Sequence, residues 1–420
     1  MFLYNVHIYL ERLTMVVRNN YLGILRSFKD KDVIKVITGI RRSGKSTLLS
    51  MFSDEIRTQD RDATVIAVNF EDAEFRDIAS WKDLLLFVNG KIVTGRKNYV
   101  FLDEVQQIED FEKAVDSLFL NKSIDLYITG SNAKLLSGEL ATLLSGRYVE
   151  IKVMTYSFAE FLAARKMDMP TMRAYGDYVR LGGFPYVQAF GSNDIAIDAY
   201  LEGLYSTIVL KDVIARRKIM SSVQLDRVVH YLFDNIGNVT SIQRIVNALF
   251  SSGNKVSHPT IENYIEGLKD AYIVHQASRY DVRGRQILKS GAKYYVSDMG
   301  LRRIVLGGLV RDYGRILENV VYLELLRRCG DERKVCIGVA DDLEMDFVAT
   351  TGTGPIYVQV AASVRDEDTL KRELRPFSRL KDAYPRYLVT LDDDPEIDHN
   401  GVRQMNICNF LGKALLVPEK

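Results

Sequence analysis

A run of eight residues, GIRRSGKS (residues 39–46), constrains this chain more than any other feature of its sequence. The run has the form G-x-x-x-x-G-K-[ST] and lies between the β-branched run VIKVIT and the apolar helical pattern TLLSMF. The two glycines let backbone N–H groups curl around phosphate oxygens, and the following helix presents its N-terminal N–H groups to the same anion. The motif therefore predicts a nucleotide-phosphate site between a strand and a helix.

We expect this loop and the first helical turn after it to hold ATP. The residues included in this prediction are Gly39, Ile40, Arg41, Arg42, Ser43, Gly44, Lys45, Ser46 and Thr47. Lys45 is expected to reach the β- and γ-phosphates, and the Ser46 hydroxyl is expected to bind Mg²⁺. No spacing rule fixes whether the two arginines contact the nucleotide or a neighbouring subunit. ATP and Mg²⁺ are the cofactors that the sequence predicts.

A second motif, the run NYVFLD followed by a glutamate, supports the same site. The run is an apolar strand that ends at Asp103, and Glu104 comes next. In a parallel sheet the carboxyl end of this strand lies at the same edge as the phosphate loop. We expect Asp103 to join Ser46 as a metal ligand and Glu104 to polarise the attacking water. The structural alternative is a strand that ends in a solvated acidic turn.

Three further polar residues are candidates for contact with the γ-phosphate. Ser131 and Asn132 follow the apolar run IDLYIT, and either is placed to contact the γ-phosphate or the attacking water. Helix capping by one of them is the alternative. Arg147 follows a glycine, before a fifth apolar run. We expect it near the same edge of the sheet, where it stabilises transition-state charge in its own site or in that of a neighbouring chain.

Composition restricts the classes of protein to which this chain can belong. Its 420 residues suggest two to four domains, and 47% hydrophobic with 26% charged residues are typical of a globular protein. The net charge of +1 excludes a globally basic nucleic-acid binder. Three cysteines without metal spacing predict reduced thiols and a cytoplasmic protein. No apolar run is long enough for a membrane helix, and charges in MFLYNVHIYLERL argue against a signal peptide.

The order of apolar runs predicts an α/β fold for the first 155 residues. Five strand-like runs alternate with helical stretches, at residues 33–38, 64–70, 98–103, 124–129 and 148–151. Short, nearly continuous apolar strands between helices indicate a parallel sheet that is covered on both faces. Residues 156–222 have a helical pattern, residues 223–275 have three amphipathic helices, and the last 120 residues combine a helix with strands ending in RYLVTL.

Several longer runs together resemble a family of prokaryotic AAA+-type ATPases. They are GIRRSGKSTLL, YVFLDEVQQIEDFEKAV, YITGSNAKLLSGELATLLSGRY, YSFAEFL, LGGFPYV and YLEGLYSTIVLKDV. The resemblance implies a P-loop NTPase with sheet order 5-1-4-3-2, a helical lid, a winged helix and a C-terminal α/β domain similar to restriction endonucleases. The implied boundaries are 1–155, 156–222, 223–298 and 299–420.

The winged-helix segment has two parts of opposite charge. The third helix, from Thr260 to Asp270, carries three acids against one lysine, which argues against insertion into a DNA groove. The segment 279–293 carries Arg279, Arg283, Arg285, Lys289 and Lys293 against one acid, Asp281. We expect any DNA contact through segment 279–293, with a wing that only packs the domain as the alternative.

The C-terminal segment follows the order of a nuclease metal site with two departures. Glu318 lies on a helix, Asp346 on a strand and Gln359 on the next strand, where nuclease folds place the ligands of Mg²⁺. Gln359 stands at an acid position, and Ala361 stands where a lysine is expected. We expect an inactive domain that docks a protein partner or the ATPase domain.

The sequence predicts an ATPase that couples nucleotide state to the conformation of its winged-helix and C-terminal domains, and oligomers would be required if Arg147 acts in trans. Two alternatives differ in what happens to the γ-phosphate. In an ATP-regulated DNA-binding protein, the nucleotide sets conformation and turnover is slow. In a small-molecule kinase an acceptor replaces water, which the acid pair Asp103 and Glu104 disfavours. Phosphate release with and without DNA distinguishes the three.

Overall fold

The computed structural model describes residues 16–133, 146–251, 253, 256–308 and 311–412. The N-terminal run MFLYNVHIYLERL and the centre of the SNAKLLSGELATLLSGR motif lie outside the described residues. The chain divides into two compact units. The first unit is Met1–Thr155 with Asp270–Tyr272, and the second is Tyr156–Lys269 with Ile273–Lys420. No helix in the described ranges has the length and apolar character needed to span a membrane.

The first unit contains a five-stranded parallel sheet. Its strands are β1 (Ile34–Thr38), β2 (Thr64–Asn69), β3 (Asn98–Asp103), β4 (Ile124–Thr129) and β5 (Tyr148–Lys152). The strand order is β2-β3-β4-β1-β5, and every neighbouring pair is parallel. This is the predicted order 5-1-4-3-2, which is therefore confirmed.

Helices of the first unit cover both faces of this sheet. They are α1 (Asn19–Phe28), α2 (Lys45–Gln59), α3 (Trp81–Asn89) and α4 (Phe111–Leu120). On one face, Phe52 of α2 packs against Phe101 and Tyr127 of the sheet. The opposite face buries apolar side chains of α3 and α4 against alternating strand residues. Every residue of β1 and β3 is buried, as expected for central strands with two covered faces.

The second unit begins with helices. They are α5 (Phe158–Ala164), α6 (Met172–Leu181), α7 (Asp194–Thr207), a π-helical segment (Ile208–Ala215), α8 (Ser222–Asp234), α9 (Ile242–Ser251), α10 (His258–Asp270), α11 (Met299–Val305), α12 (Tyr313–Cys329), α13 (Glu367–Leu374) and α14 (Ile407–Gly412). Helices α8, α9 and α10 occupy the positions predicted for the three amphipathic helices.

The same unit contains a mixed eight-stranded sheet. Its strands are β6 (Val274–Asp281), β7 (Gln286–Val296), β8 (Val335–Ala340), β9 (Leu343–Thr351), β10 (Gly354–Ala361), β11 (Arg386–Thr390), β12 (Ile397–His399) and β13 (Val402–Asn406). The strand order is β12-β13-β11-β10-β9-β8-β6-β7. The run RYLVTL is therefore not the last strand, because two shorter strands follow it.

The β6–β7 hairpin is part of this sheet rather than a separate wing. Strand β6 pairs with β8 in parallel, with Arg279 opposite Ile337 and Asp281 opposite Val339. The predicted boundary at residue 298 therefore separates strands that share hydrogen bonds. Charge and helix order in the sequence contain no information about the strand with which this hairpin pairs.

Candidate functional site

Two glycines shape the loop between β1 and α2. Gly39 and Gly44 have φ angles of +137° and +95°, which residues with a Cβ rarely adopt. A Cβ on Gly39 would also lie 2.0 Å from the carbonyl oxygen of Val153. The glycines of the motif are therefore required by backbone geometry. The helix that follows begins at Lys45, so its first N–H groups face the loop.

Lys45 is buried in this loop, with 3% of its surface exposed. Its Nζ donates to the carbonyl oxygens of Gly39 at 3.0 Å and Ile40 at 3.2 Å. The same Nζ lies 3.9 Å from Oε1 of Glu104. The lysine of the phosphate loop and the glutamate after β3 therefore meet at one point, as the two motifs predict.

Two hydroxyl groups, one from β4 and one from α2, contact the carboxylate of Asp103. Thr129 of β4 donates its hydroxyl hydrogen to Asp103 Oδ1, and Ser46 also hydrogen-bonds this carboxylate. Burial raises the pKa of Asp103, whereas these two hydrogen bonds act to lower it. Ser46 and Asp103 thus supply neighbouring oxygen atoms of the kind that Mg²⁺ prefers.

Glu104 has a strained backbone and a defined side-chain partner. Its φ is +54°, in the left-handed region, and its N–H donates to the Thr129 hydroxyl oxygen at 2.9 Å. The Gln106 amide donates to Glu104 Oε2. Only 6% of the Glu104 surface is exposed. Strain of this kind at a non-glycine residue is concentrated at functional sites.

Ser131 and Asn132 are buried just beyond the end of β4. In the part of the chain that the structure describes, the hydroxyl oxygens of Ser131 and Ser43 are buried and have no hydrogen-bond partner. Buried hydroxyls without partners are rare in native proteins, because each carries an unpaid desolvation cost of roughly 1–3 kcal/mol. Phosphate oxygens and water are suitable partners for both hydroxyls.

Three of the predicted nucleotide-binding positions are exposed to solvent, and Arg41 pairs with a neighbouring carboxylate. Arg42, Ser46 and Thr47 are exposed, and Arg42 has a φ of +65°. Arg41 is buried, and its Nη1 lies 2.9 Å from Oε1 of Glu71. The exposed positions leave room for a ligand on the solvent side of the loop.

The structure places Arg147 away from this loop, which corrects the expectation that it lies near the same edge. Arg147 immediately precedes β5, and its carbonyl accepts a hydrogen bond from the N–H of Ile34 at the start of β1. The strands are parallel, so this edge is about 13 Å along β1 from the phosphate loop, at about 3.3 Å per residue. The guanidinium pairs with Asp116 at 3.1 Å. A role in its own site is therefore wrong, and a role in a neighbouring chain stays a prediction.

Three residues that sequence reasoning left out contribute to the site. Thr129 links Asp103 to the Glu104 backbone, and Gln106 holds the Glu104 carboxylate. Arg18, which is buried, donates to the carbonyl oxygens of Ser43 at 3.0 Å and Thr155 at 3.4 Å. The polar end of the run IDLYIT is the one signal that points to Thr129. No local pattern identifies Arg18, because its partners are 25 and 137 residues away.

In the second unit, the residues of the nuclease-like pattern do come together. Glu318, on α12, and Asp346, on β9, lie 2.9 and 3.4 Å from the ammonium of Lys293. Gln359 accepts a hydrogen bond from the Asp346 N–H and donates one to Glu373. In the described ranges, no group of three or more His, Cys, Asp or Glu side chains is arranged to hold a metal ion.

The same contact corrects part of the DNA prediction. The charge pattern predicts that Lys293 contacts phosphates, but only 4% of its surface is exposed and its ammonium is paired with carboxylates. Arg283 lies 2.5 Å from Asp341. Arg285 is exposed, and the side chain of Lys289 lies outside the described residues. The segment 279–293 therefore presents less positive charge to solvent than the sequence suggests.

Comparisons with known proteins agree with the architecture of the first unit. A family model described as an AAA domain matches residues 31–162, and a domain of unknown function (DUF8612) matches residues 172–309. An uncharacterized protein of Haemophilus influenzae is 37% identical over 402 residues, covering 94% of this chain and 98% of that protein. The uncharacterized protein MJ1544 of Methanocaldococcus jannaschii is 29% identical over 360 residues, covering 82% and 78%.

Among solved structures, the Walker-type ATPase PABY2304 of Pyrococcus abyssi is similar to this chain, with 17% sequence identity and a TM-score of 0.49. The match covers 69% of this chain and 96% of that protein. The AAA domain that matches residues 31–162 includes β1 to β5 and every residue predicted to bind nucleotide or metal.

Proposed function

This chain belongs to the family of the Haemophilus influenzae protein, and because residues 31–162 are an AAA-type P-loop domain, we propose that it is a Mg²⁺-dependent ATPase that cleaves the β–γ phosphoanhydride of ATP. The observation that carries the proposal is the meeting of two motifs. Lys45 of the phosphate loop lies 3.9 Å from Glu104, and Ser46 hydrogen-bonds Asp103 beside it. Four side chains with the required chemistry thus converge on one point.

Binding begins with the backbone of the loop. The N–H groups of residues 39–46 and the first turn of α2 offer donors to the phosphates, and the helix dipole favours the negative charge. Lys45 exchanges its bonds to the carbonyls of Gly39 and Ile40 for bonds to β- and γ-phosphate oxygens. The unpaired hydroxyls of Ser43 and Ser131 gain phosphate or water partners. Thr47 and the exposed Arg42 lie at the solvent side of the bound nucleotide.

Ser46 and Asp103 are the residues that would hold Mg²⁺. Their fit rests on two neighbouring oxygen donors, one of them a buried carboxylate. When bound, Mg²⁺ would neutralise the charge that develops on the phosphate oxygens. Two protein ligands are enough for this ion, because nucleotide sites commonly complete its coordination with phosphate oxygens and water.

Glu104 acts on water. Its carboxylate accepts a proton from a water molecule whose oxygen bonds to the γ-phosphorus, while the bond from that phosphorus to the bridging oxygen breaks and ADP leaves with the bonding electrons. Gln106 fixes the orientation of the carboxylate before reaction. Asn132 is a candidate to hold the water, since it is buried beyond the end of the neighbouring strand.

The second unit and the association of chains complete the proposed function. Nucleotide state sets the conformation of the second unit, which docks a protein partner, and chains associate if Arg147 acts on a neighbour. A cytoplasmic location is supported by the three cysteines, all of which are free thiols. Any DNA contact would be made by the exposed Arg283 and Arg285 of segment 279–293.

Phosphate release from Mg²⁺-ATP by the full chain tests the proposal. Release in buffer alone supports the ATPase, and release only with duplex DNA supports the DNA-regulated alternative. Absence of release in both conditions, combined with loss of ATP only when a small hydroxyl acceptor is added, would show a kinase. Retention of release in a Lys45→Ala variant would assign the activity to a contaminant and overturn the proposed site.

A further inference from the structure

Lys293 is a buried cation on β7 that faces three carboxylates. Its Nζ lies 2.9 Å from Oε1 of Glu318, 3.0 Å from Oε1 of Glu344 and 3.4 Å from Oδ1 of Asp346. A lysine is almost never buried to this degree unless it is paired. Burial alone would lower the pKa of Lys293, but the three carboxylates outweigh it and raise that pKa. The ammonium is therefore charged at every physiological pH.

Three separate elements converge on this ammonium. Glu318 comes from α12 and Glu344 and Asp346 from β9, whereas the lysine comes from β7, which is not adjacent to β9 in the sheet. The Tyr295 hydroxyl donates to the same Glu318 oxygen at 2.7 Å. A surface ion pair needs no such convergence, so the cluster is a built feature of the second unit.

The charges of the cluster do not balance. One ammonium faces three carboxylates, so the formal charge of the cluster is −2. If a single divalent cation replaced the ammonium, the formal charge would be −1. Carboxylate oxygens around a buried positive charge are the donor set of a Mg²⁺ or Mn²⁺ site. Here the positive charge at the centre belongs to the protein itself.

The ammonium and a metal ion exclude one another at this position. A metal ion shared by these oxygens would lie within about 2.1 Å of each, in the space that the ammonium occupies. Gln359 does not offer an alternative ligand, because its amide is used by the Asp346 N–H and by Glu373. As it stands, the cluster is not arranged to hold a metal ion.

We propose that the carboxylates of Glu318, Glu344 and Asp346 have the arrangement of a divalent-cation site, and that the ammonium of Lys293 occupies the position of the cation. The lysine that the nuclease pattern lacks at Ala361 is thus supplied from another strand, but it lies at the centre of the carboxylates rather than beside them. The second unit consequently has a stable acidic centre that is independent of metal ions. It does not cleave DNA.

Removal of the lysine is the direct test. We expect Lys293→Met, in the full chain without nucleotide, to gain one Mn²⁺ site, measured as loss of the free-ion electron paramagnetic resonance signal. Its affinity for Mn²⁺ should exceed that of wild type at least ten-fold, and Mn²⁺ should raise its melting temperature. Adding Asp346→Asn should abolish the gain. The matched control is Lys371→Met, which removes an exposed lysine of the same unit and should gain no site.

Three results would overturn the proposal. One is a Lys293→Met protein that binds Mn²⁺ no better than wild type. Another is a wild type that already binds Mn²⁺ through Asp346, or that cuts plasmid DNA with Mg²⁺ in an Asp346-dependent way. Should Lys293→Met fail to fold, the double variant Lys293→Met/Glu344→Gln has one unpaired carboxylate fewer and keeps Glu318 and Asp346. The third result that would overturn the proposal is a double variant that neither binds Mn²⁺ nor folds with the help of Mn²⁺.

Discussion

The ammonium of Lys45 lies 3.9 Å from the carboxylate of Glu104 and at the same time donates to two carbonyl oxygens of its own loop. The carbonyl oxygens of Gly39 and Ile40 thus accept the hydrogen bonds that Lys45 would donate to phosphate oxygens. Binding of ATP replaces these neutral acceptors by anionic phosphate oxygens, which attract the ammonium more strongly than a carbonyl oxygen does. The position of Lys45 gives the first prediction.

We expect Lys45→Ala to abolish tight ATP binding, because the main cation facing the β- and γ-phosphates is lost. A titration with a fluorescent ATP analogue should show a loss of affinity of at least about ten-fold, the effect of one charge-assisted hydrogen bond of 1.5–3 kcal/mol. Lys122→Ala removes an exposed lysine from the same unit and serves as the control. Equal affinities in wild type and Lys45→Ala would rule out the assigned site.

We expect Glu104→Gln to keep ATP binding and to slow turnover by about 10²-fold or more, the usual size of a lost general-base contribution. The amide keeps the shape of the side chain but cannot accept the proton from water. Glu109→Gln changes an exposed glutamate five residues away and should leave kcat unchanged. If binding and turnover of Glu104→Gln fall together, then Glu104 is a structural residue or a metal ligand.

We expect Thr129→Val to slow turnover and to weaken the dependence on Mg²⁺, because one hydroxyl bonds both the Asp103 carboxylate and the Glu104 N–H. The two lost hydrogen bonds should also lower the melting temperature of the first unit, at a cost of about 1–3 kcal/mol. Thr129→Ser keeps the hydroxyl and should restore both properties. A normal Mg²⁺ dependence of kcat in Thr129→Val would restrict Thr129 to a role in folding.

The first unit could be predicted from the sequence because its signals are local. The phosphate loop is eight consecutive residues, and each apolar run forms its own strand. The expectation for Arg147 is wrong although the predicted parallel sheet already contains the information that corrects it. The strand runs parallel to β1, so a residue before it lies at the opposite edge.

The second unit was predicted less well because its pairings are long-range. Counting charges assigns Lys293 to a basic surface, but the strand face that carries it points towards Glu318, 25 residues later in the chain. Strand β7, which carries Lys293, belongs to the large sheet only because its neighbour β6 pairs with β8. Without that pairing, β6 and β7 would form a separate hairpin. No local pattern contains this information.

We expect any DNA binding to be modest and salt-sensitive and to depend on Arg283 and Arg285. Replacing both by alanine should weaken binding equally for all sequences and reduce the slope of log K against log salt by up to about 2, one unit for each phosphate contact. Fluorescence anisotropy with two unrelated duplexes at several salt concentrations measures both quantities. Sequence-selective binding that survives the double change would point to α10 instead.

A carboxylate that packs against the glycines of LGGFPYV predicts how stability depends on pH. Asp298 is buried, and it accepts hydrogen bonds from the N–H groups of Gly183 at 2.7 Å and Leu301 at 3.2 Å. Burial raises the pKa of Asp298 from its ordinary value of 3.8 to about 6, although these hydrogen bonds act to lower it. A Cβ on Gly182 would lie 2.0 Å from Asp298 Oδ1, so the carboxylate occupies the space that any larger residue at position 182 would need.

Because the folded-state pKa of Asp298 lies above the unfolded-state value, the folded protein binds the additional proton between pH 4 and 6. The contribution of Asp298 to stability is therefore fully present below pH 4 and is lost as the pH rises to about 6, with a total change of roughly 3 kcal/mol. Asp298→Asn cannot ionise, so the stability of wild type relative to this variant should fall over the same pH range. Calorimetric melting temperatures of both proteins at pH 4, 5, 6 and 7 measure this difference. A difference that stays constant with pH, or that grows as the pH rises, would show that Asp298 is ionised in the folded protein throughout this range.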